Sequence, residues 1–562
     1  MKYDRWDIAG YDRMEAARLF RSGINPLISV VLASRHILNA PEIHELLEDK
    51  AATGTDPFTL RDMDAAVHRI ERAIEAEEHV AVYGDYDVDG ITATCLLSEY
   101  LTAKGLPCET YIPNRLEEGY GVRKAGIDTL RSLGVTLIIT VDCGITAVEE
   151  VEYARTLGID VVITDHHECG PVLPNAAAVV DPKRKDNLPT DAGLAGVGVA
   201  FRLVCALEGE DQESRLLREY GDLVALGTLA DVMPVLGDNR TLIRRGLEAA
   251  RSGSRPGIRQ LCEAAGVEPE KLSVMSVGFA LAPRLNAAGR LGKTDGAFTL
   301  LKTRDEALAA ELAEEMCRLN RQRQQLEQDM LNQCLALLEA DPPAGKPIVL
   351  AGDGWHQGVG GIVASRLCEK FALPVIMICL QDGIGRGSCR SVEGFGLHAA
   401  LSRCSDLLVT FGGHEMAAGL TIEAENVPAL RKRLGELFLD SPAAGAETAL
   451  KVDAELPKAE ILTVENVDAL SALDPYGNGN PAPLFCITGG EIRSFTAMGN
   501  GKHTRFTLQK GGVNLECVFF SHSPAELGVE LGRKADIVFA PQINEFRGRR
   551  TVQLLLSDIR TD

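Results

Sequence analysis

The sequence predicts an α/β protein: two α/β domains joined by a long helix and followed by a small C-terminal β barrel. Short apolar runs alternate with helical stretches in two regions, a helical pattern continues from 304 to 341, and residues 484–560 are short strand-like runs between Gly and Asn turns. A length of 562 residues suits three to four domains, each large enough to bury its own core.

The N-terminal residues 1–75 read as a polar helical segment, because Met63, Val67, Ile70 and Ile74 recur at helical spacing. A first α/β domain is expected over 76–300. Its strands are predicted at 79–83, 108–112, 135–141, 159–164 and 176–180. These strands are apolar throughout and alternate with helices, which predicts a parallel sheet covered on both faces.

A connecting helix is predicted over 301–342, because apolar residues recur at helical spacing and two prolines, Pro342 and Pro343, end the pattern. At 1.5 Å per residue the periodic stretch spans roughly 57 Å, which is longer than one domain core. We interpret it as a bridge between two domains. A dimeric coiled coil is the alternative, although few heptads are regular.

The second α/β domain is expected over 343–445, with strands near residues 348, 374 and 406. The composition changes again after the small-residue stretch 441–449. We therefore expect the β barrel over 446–562.

Composition places the chain among globular proteins, since 45% of its residues are hydrophobic and 25% are charged. No apolar run reaches the roughly 18 residues of a membrane span, and the N-terminus lacks the apolar core of a signal peptide. The 14 cysteines are scattered, without a CxxC pair. We therefore expect reduced thiols in a cytoplasmic protein with no membrane partner.

The formal net charge of −22 lowers the expectation of nucleic-acid binding. Binding is local, however, and the region from Arg493 to Asp562 holds ten Lys and Arg residues against seven Asp and Glu residues. The acidic balance therefore does not exclude a nucleic-acid partner.

Acidic side chains follow three of the predicted strands. Strand 79–83 runs into GDYDVDG, strand 135–141 into DCG, and strand 159–164 into DHH. Parallel strands share one direction, so these segments emerge at the same carboxyl edge of the sheet, where α/β proteins bind ligands. Acids gathered there would repel one another without cations. Carboxylate and imidazole ligands favour a pair of Mn²⁺ or Mg²⁺ ions, which can activate water and bind a phosphoryl group.

Each acid taken alone has a simpler interpretation. An aspartate after a strand is often the N-cap of the next helix, and DYDVDG also fits the start of an EF-hand calcium loop. Position 12 of such a loop would be Leu96 rather than Glu, and a helical pattern begins at once. The coincidence of three clusters favours a metal site.

Four segments, YGDYDVDGIT, VDCG, TDHH and ALGTLADVMP, resemble in order the four motifs of the DHH phosphoesterase superfamily. The similarity to one family within it, the RecJ single-strand-specific exonucleases of bacteria, extends over nearly the whole chain. It includes PRLNAAGR (283–290), GWHQGVGGIVASR (354–366), GRGSCRS (385–391), FGGHEMAAG (411–419) and PYGNGNPAPLF (475–485). The resemblance implies a DHH-type catalytic domain, a DHHA1-type substrate-binding domain and an OB-like nucleic-acid-binding domain.

The resemblance also implies roles for single residues. Two divalent ions, Mn²⁺ or Mg²⁺, would have as ligands or near neighbours Asp85, Asp87, Asp89, Asp142, His166 and Asp231. Asp165 would orient a histidine, and His167 would contact the scissile phosphate or assist proton transfer.

A second site is expected in the DHHA1-type domain. GRGSCRS reads as a glycine-flanked loop whose arginines and backbone N–H groups could bind an anion; ordinary turns with surface arginines are the alternative. The resemblance favours a site for the terminal phosphate and nucleotides of the substrate, formed by Arg284, Asn286, Arg290, His356, Arg386, Ser388, Arg390, Ser391, Gly412, Gly413 and His414.

In the OB-like region, basic residues alternate with five phenylalanines: Phe495, Phe506, Phe519, Phe520 and Phe546. Aromatic faces and cations suit single-stranded nucleic acid, although most of these phenylalanines could instead form the barrel core. The basic turn FRGRR is the better candidate for phosphate contact, through Arg547, Arg549 and Arg550.

The resemblance implies a metal-dependent 5′-to-3′ exonuclease that hydrolyses single-stranded DNA to mononucleotides in recombination and repair. It also implies a monomer that cooperates with single-strand-binding protein and a RecQ-type helicase. Three alternatives stay open: a DHH enzyme for short oligonucleotides or cyclic dinucleotides, a catalytically inactive DNA-binding relative, and a pyrophosphatase. The length, the OB-like region and the complete set of acids favour the exonuclease.

Overall fold

A computed structural model describes residues 3–47, 54–188, 193–445, 447–499, 501–527 and 530–561. The chain forms two compact units. We call Met1–Ala52 with Glu447–Asp562 the terminal unit, and Thr53–Ala446 the central unit. In the described part of the chain, no helix has the length and apolar character needed to cross a membrane.

The N-terminal segment belongs mostly to the terminal unit. It contains β1 (Arg5–Ile8), α1 (Arg13–Arg21), α2 (Pro26–Ser34) and α3 (Ala40–Leu47). α2 is buried from Leu27 to Ser34 and contributes to the same apolar core as the C-terminal barrel. The predicted helical segment thus also contains a strand, and its last helix, α4 (Met63–Glu75), lies in the central unit.

The first α/β domain contains a five-stranded sheet in which every adjacent pair is parallel, as the sequence predicts. Its order is β3-β2-β4-β5-β6, with strands β2 (Val80–Tyr83), β3 (Cys108–Tyr111), β4 (Leu137–Val141), β5 (Asp160–Thr164) and β6 (Ala178–Val180). Side chains alternate between the faces of a strand. Val80 and Val82 therefore enter one apolar core, whereas Ala81 and Tyr83 enter the core on the other side.

Helices cover both faces of this sheet. The helices of this domain are α5 (Val88–Ala103), α6 (Lys124–Ser132), α7 (Val148–Thr156), α8 (Gly196–Glu208), α9 (Glu213–Ala230), α10 (Gly237–Arg251), α11 (Pro256–Ala265), α12 (Val274–Ser276), α13 (Ala282–Arg290) and α14 (Thr294–Lys302). A π-helical turn at Val277–Leu281 joins α12 to α13.

The connecting helix is α15 (Glu306–Ala340), whose 35 residues span roughly 52 Å. Its N-terminal half places Ala313 and Met316 in the core of the first domain, and its C-terminal half places Met330 and Cys334 in the core of the second. The bridging helix is thereby confirmed, because domains of its own chain cover both apolar segments.

The second α/β domain contains a mixed sheet in the order β10-β11-β9-β8-β7. Its strands are β7 (Ile348–Asp353), β8 (Val375–Gln381), β9 (Ile384–Arg390), β10 (Leu408–Gly413) and β11 (Ala417–Glu423), and its helices are α16 (Gln357–Phe371), α17 (Leu397–Ser402) and α18 (Val427–Leu439). β7 and β8 are parallel, and the other pairs are antiparallel.

The prediction that GRGSCRS forms a glycine-flanked loop is wrong. Its residues 385–390 belong to β9, and FGGHEMAAG forms the β10–β11 hairpin. The backbone N–H groups of β9 pair with its neighbours rather than facing an anion. Its glycines serve packing, because a Cβ on Gly385 would lie 2.5 Å from Ile378 Cγ2 and one on Gly387 2.7 Å from Leu420 Cδ1.

The C-terminal region forms a closed five-stranded barrel in the order β14-β15-β16-β18-β17, with β17 pairing back to β14. This part of the terminal unit contains β12 (Ala449–Val452), β13 (Ala454–Glu455), α19 (Val464–Ala469), β14 (Phe485–Met498), β15 (His503–Lys510), β16 (Val513–Phe519), α20 (Pro524–Leu527), β17 (Lys534–Phe546) and β18 (Arg549–Thr561). β1 pairs in parallel with β12.

The five candidate phenylalanines of the barrel divide into two groups. Phe506 and Phe519 are buried in the core, whereas Phe495, Phe520 and Phe546 are 39%, 51% and 66% exposed. Only the second group therefore has rings available for stacking.

Candidate active site

The carboxyl ends of β2, β4 and β5 bring the predicted acids and histidines together. Ligand atoms lie within 4.8 Å of one another in each of three overlapping groups. The groups are Asp85–Asp87–Asp142, Asp89–His166–Asp231 and Asp142–His166–His167. All six expected metal ligands thus meet at one edge of the sheet.

His166 lies at the centre of this arrangement and is buried. Its Nε2 is 3.1 Å from Asp142 Oδ1, 3.7 Å from Asp231 Oδ2 and 3.8 Å from Asp89 Oδ2. Neighbouring ligands of an octahedral ion, each at about 2.1 Å from the metal, lie about 3 Å apart. The separation of His166 and Asp142 therefore fits two ligands of one cation.

Backbone groups fix the acids of the first motif. Asp87 is the N-cap of α5, as the simpler interpretation of an acid after a strand suggests, and its Oδ1 accepts from the N–H groups of Asp89 and Gly90. Asp89 is buried, and its two oxygens accept from the N–H groups of Gly196 (2.7 Å) and Val197 (2.8 Å) at the start of α8. The N-terminus of α8 thus fixes the orientation of this carboxylate through both of its oxygens.

Asp142 has a left-handed backbone, with φ of +60°. Aspartate tolerates this conformation better than most residues, and strained positions of this kind concentrate at functional sites. Gly196 lies so close that a Cβ there would be 2.5 Å from Asp142 Cβ. A glycine at the start of α8 is therefore a requirement of the site.

The electrostatics of the cluster call for cations. Burial, followed by the charges of neighbouring carboxylates, raises the pKa of Asp85, Asp89 and Asp142 well above the ordinary value. The same causes raise the pKa of Asp231 to about 7. Oδ1 of Asp85 and Oδ1 of Asp142 are buried and accept no hydrogen bond from any described residue. These residues fit a site for divalent metal ions, which would give both oxygens a partner.

The two adjacent histidines have opposite tendencies to hold a proton. Burial, together with the positive charge of His167, lowers the pKa of His166 to about 3, so the imidazole of His166 is neutral, as a metal ligand would need to be. Burial also opposes charge on His167, but a 2.7 Å hydrogen bond from its Nδ1 to Asp165 and the charge of Asp165 raise its pKa to about 9. The Asp165 side chain therefore orients the ring of His167 rather than that of His166, the expected metal ligand.

Three further residues lie at this edge and were not predicted from the sequence as site residues. Asp181 follows β6, is buried, and has a pKa raised to about 7, mainly by burial. Arg115 and Tyr120 lie on the loop after β3, and the Tyr120 hydroxyl is 3.1 Å from His167 Nδ1. All three follow a strand of the same parallel sheet, so the rule that located the acids could also have located them.

A cleft of about 1050 Å³ separates this edge from the β10–β11 hairpin of the second domain. It is lined by Tyr120, Thr146, His167, Glu168, His398, Gly412, Gly413, His414, Glu415 and Met416. The three candidates Gly412, Gly413 and His414 thus face the metal edge across the cleft.

Arginines gather beside the metal edge. Burial lowers the pKa of Arg290 to about 10, and the charges of Arg115, Arg323 and Arg390 contribute to this shift. Burial is also the main cause that lowers the pKa of Arg390. Among the described residues, no acidic side chain forms an ion pair with Arg115, Arg290 or Arg390. Such cations, crowded together and without acid partners, suit an anion.

The remaining candidates of the second site differ in position. Ser388 and Arg390 lie beside glycines of α16, since a Cβ on Gly361 would be 3.8 Å from Ser388 Cβ and 3.3 Å from Arg390 Nη2. Arg386 is exposed and donates to Gln357. Ser391 is buried, and its hydroxyl donates to the carbonyl of Phe395. The hydroxyl of Ser391 is therefore not available to a substrate.

Three further candidates make contacts inside the protein. Asn286 Oδ1 accepts from the N–H of Val88 at the start of α5. His356 is the N-cap of α16, and its Nδ1 accepts from the N–H of Gly358. Arg284 donates to the carbonyl of Ala280. Asn286 and His356 thus hold the N-termini of α5 and α16, and Arg284 bonds to the π-helical turn before α13.

The basic turn of the barrel is the β17–β18 hairpin. The Arg547 guanidinium lies 5.2 Å from the centre of the Phe546 ring, whereas Arg550 is paired with Asp468. Arg549 is exposed. Arg547 and Arg549 are therefore better placed than Arg550 for a phosphate.

Comparisons with known proteins agree with this domain composition. The chain matches the family models for the DHH family N-terminal domain over residues 79–228, the DHHA1 domain over 345–440 and the RecJ OB domain over 452–558.

Curated relatives match nearly the whole chain. It is 38% identical over 566 residues to the single-stranded-DNA-specific exonuclease RecJ of Bacillus subtilis, covering 99% of this chain and 70% of the relative. It is 37% identical over 567 residues to the Escherichia coli protein of the same name, covering 95% and 96% of the two chains.

A solved structure has the same fold. The crystal structure of RecJ in complex with Mn²⁺ from Thermus thermophilus superposes with a TM-score of 0.84 at 32% identity, covering 99% of this chain and 79% of that one. A Mg²⁺ complex from the same organism gives a TM-score of 0.78.

Proposed function

Since the chain belongs to the RecJ family of single-stranded-DNA-specific exonucleases, we propose that it hydrolyses single-stranded DNA from the 5′ end to mononucleotides, in DNA recombination and repair. The observation that supports this proposal best is that the central unit places a group of acidic side chains next to a group of arginines. Buried carboxylates with a neutral histidine lie beside arginines that have no acid partner among the described residues. In metal-dependent hydrolysis of a phosphodiester, the carboxylates and histidine would hold the ions, and the arginines would bind phosphate oxygens of the substrate.

Two divalent ions, Mn²⁺ or Mg²⁺, are the cofactors. Asp85, Asp87 and Asp142 would hold one ion, and Asp89, His166 and Asp231 the other. When bound, such ions lower the pKa of a coordinated water and stabilise charge on a phosphoryl group. Asp142 lies close to both groups, since its Oδ1 is 3.1 Å from His166 Nε2, and its carboxylate would help to hold both ions.

His167 is the proposed hydrogen-bond donor to the scissile phosphate. Asp165 holds its Nδ1 and keeps the ring protonated, which leaves Nε2 as a donor beside the cleft. A cation at this position can stabilise negative charge on a phosphate oxygen or give a proton to the leaving oxygen. Asp165 acts through this histidine.

The terminal phosphate is proposed to bind the arginine cluster. Arg115, Arg290 and Arg390 offer planar donors that match phosphate oxygens in pairs, and Ser388 lies two residues before Arg390 on the same face of β9. Holding this phosphate at a fixed distance from the metal edge would release one nucleotide per cut. Gly412, Gly413 and His414 would line the path of the strand.

The barrel is the proposed second binding surface for single-stranded DNA. Exposed Phe495, Phe520 and Phe546 offer stacking faces, and Arg547 and Arg549 offer charge. By family analogy we propose that the enzyme acts as a monomer with single-strand-binding protein and a RecQ-type helicase. Its 14 free cysteines suit the reducing cytoplasm.

The test uses single-stranded DNA labelled at either end, incubated with the purified protein and Mn²⁺, Mg²⁺ or EDTA. We expect metal-dependent release of mononucleotides from the 5′ end and no cleavage in EDTA. Release from the 3′ end would contradict the polarity. Cleavage of dinucleotides alone, or binding without cleavage, would contradict the function.

A further inference from the structure

The loop after β3 is closed by a single carboxylate. Glu118 Oε1 accepts from the N–H of Asn114 (2.7 Å), and Glu118 Oε2 accepts from the hydroxyl of Tyr111 (2.7 Å). The N–H of Glu118 donates back to the carbonyl of Asn114 (2.8 Å). We call residues 114–121 the β3 loop. The Glu118 side chain thus ties the middle of this loop to its start at Asn114 and to the end of β3.

Tyr111, the residue of β3 that Glu118 contacts, is held in place by packing. Tyr111 is the last residue of β3, and its ring stacks on Tyr83 with centroids 4.9 Å apart. Tyr83 is fully buried at the end of β2. A Cβ on Gly126 would lie 3.0 Å from both rings, so the pair is tightly enclosed. Glu118 therefore attaches the β3 loop to the fixed edge of the sheet.

The two residues that the β3 loop brings to the active site lie on either side of Glu118. The Arg115 guanidinium is 4.9 Å from the ring of Tyr86, which stands between Asp85 and Asp87, and its charge lowers the pKa of Arg290. The Tyr120 hydroxyl is 3.1 Å and 3.3 Å from the two ring nitrogens of His167.

The direction of Tyr120 depends on the turn that Glu118 begins. Gly119 and Gly121 flank it, and each has φ of +83°, a left-handed conformation that glycine adopts without strain. Two such residues give the backbone many alternative directions. A contact outside the turn is therefore needed to select one of them.

We propose that Glu118 is a positioning residue of the exonuclease: by joining Asn114 to Tyr111, it directs Arg115 at the terminal phosphate and Tyr120 at His167. The inference rests on the proposed function of Arg115 and His167. Glu118 belongs to none of the groups of described residues that could hold a metal. Its loss should change the rate of cleavage and the recognition of phosphate while metal affinity stays constant.

The test compares Glu118→Ala, Glu118→Gln and Tyr111→Phe. Glutamine can accept from Asn114 N–H and donate to the Tyr111 hydroxyl, so it preserves the contact without the charge. The matched control is Tyr100→Phe, because the Tyr100 hydroxyl donates in the same way to Glu208 (3.0 Å) on helices away from the strand ends. Cleavage of 5′-phosphorylated and 5′-hydroxyl single strands is measured at saturating Mn²⁺, with Mn²⁺ affinity measured by calorimetry.

For Glu118→Ala we expect kcat to fall by about 10- to 100-fold, as supporting residues of metal sites do. The preference for the 5′ phosphate should shrink, while Mn²⁺ affinity stays at the wild-type value. Glu118→Gln should recover most of the rate, Tyr111→Phe should fall between the two, and Tyr100→Phe should match the wild type.

Wild-type kcat in Glu118→Ala would overturn the inference, and so would equal losses in the Gln and Ala variants. A parallel loss of Mn²⁺ affinity would show a general defect in the site and would overturn it too. If Glu118→Ala does not fold, Tyr111→Phe decides, since it keeps the stacked ring. A wild-type protein that cuts no single strand would instead refute the proposed function.

Discussion

The two sheets of the central unit present their functional side chains in different ways. In the first sheet all strands are parallel, and the acids stand beyond the ends of β2, β4 and β5. In the second sheet β9 is antiparallel to both neighbours. Its polar side chains, Arg386, Ser388 and Arg390, alternate along the strand with the buried Gly385, Gly387 and Cys389.

The difference shows how strand direction decides where a site can form. Parallel strands all end at the same edge, so residues far apart in sequence meet there. The neighbours of an antiparallel strand end at the opposite edge of the sheet, so the residues after these strands do not meet. Side chains of such a strand can instead contact a ligand from one face of the sheet, where every second residue lies. The residues of the first site therefore follow the strands in the sequence, whereas the candidate residues of the second site on β9 lie within that strand at every second position.

The largest effect is expected at the carboxyl edge of the parallel sheet, where the metal ligands are proposed to lie. Asp142→Asn keeps a residue that tolerates the left-handed backbone, but it removes the charge shared by two ligand groups. We expect Mn²⁺-dependent cleavage of single-stranded DNA to fall by more than about 1,000-fold. The control is Asp160→Asn at the opposite end of β5, where Asp160 pairs with Arg69 and Arg72. Equal losses in both variants would remove the distinction between the two ends of the sheet.

A smaller effect tests the face of β9. Arg390→Ala removes a charge-assisted contact worth about 1.5–3 kcal/mol, which corresponds to about 10- to 100-fold. We expect this loss with 5′-phosphorylated strands and little change with 5′-hydroxyl strands, measured as kcat/KM. Arg403→Ala, an exposed arginine of the same domain, serves as the control. An unchanged preference for the 5′ phosphate would mean that β9 does not bind it.

A weaker effect again is expected in the terminal unit. The double variant Arg547→Ala/Arg549→Ala should lower affinity for long single strands a few-fold and reduce the slope of log affinity against log salt by about 1.4, or 0.7 for each lost phosphate contact. Arg493→Ala, which removes an arginine paired with Glu491, should leave the slope unchanged. Point variants are preferable to removal of the barrel, because truncation would expose Leu27 and Ile28 of α2.

The smallest effect concerns stability without metal. Burial raises the pKa of Asp231 from 3.8 to about 7, so in this range the folded state binds more protons than the unfolded state. The free energy of unfolding contributed by this group therefore falls as the pH rises from about 4 to about 7. In EDTA, wild type should lose stability relative to Asp231→Asn over this range, measured by urea unfolding. Saturating Mn²⁺ should abolish the loss, and a relative gain in stability would contradict the burial of a charged cluster.

The sequence located the first site better than the second for a physical reason. Apolar strands with acids at their ends have one arrangement in a parallel sheet, so the acids and histidines after β2, β4 and β5 were expected to meet. Asp231, which follows α9, was expected only from the resemblance to the DHH superfamily. The glycines of GRGSCRS suggested a loop, because glycine is common in anion-binding turns. The structure shows that they make room for Ile378 and Leu420 instead. Their alternation with Arg386, Ser388 and Arg390 was visible in the sequence.

What the sequence determined by itself is the parallel sheet of the first domain, the connecting helix and the metal edge, because hydrophobic periodicity and strand direction are local properties of the chain. Only the tertiary structure decided which segments share a core. It joined α2 to the C-terminal barrel, separated buried Phe506 from exposed Phe520, and paired the Ser391 hydroxyl with a carbonyl. It also placed Glu118 between Asn114 and Tyr111. Such contacts depend on the relative positions of helices and strands in space, which hydrophobic periodicity along the chain does not predict.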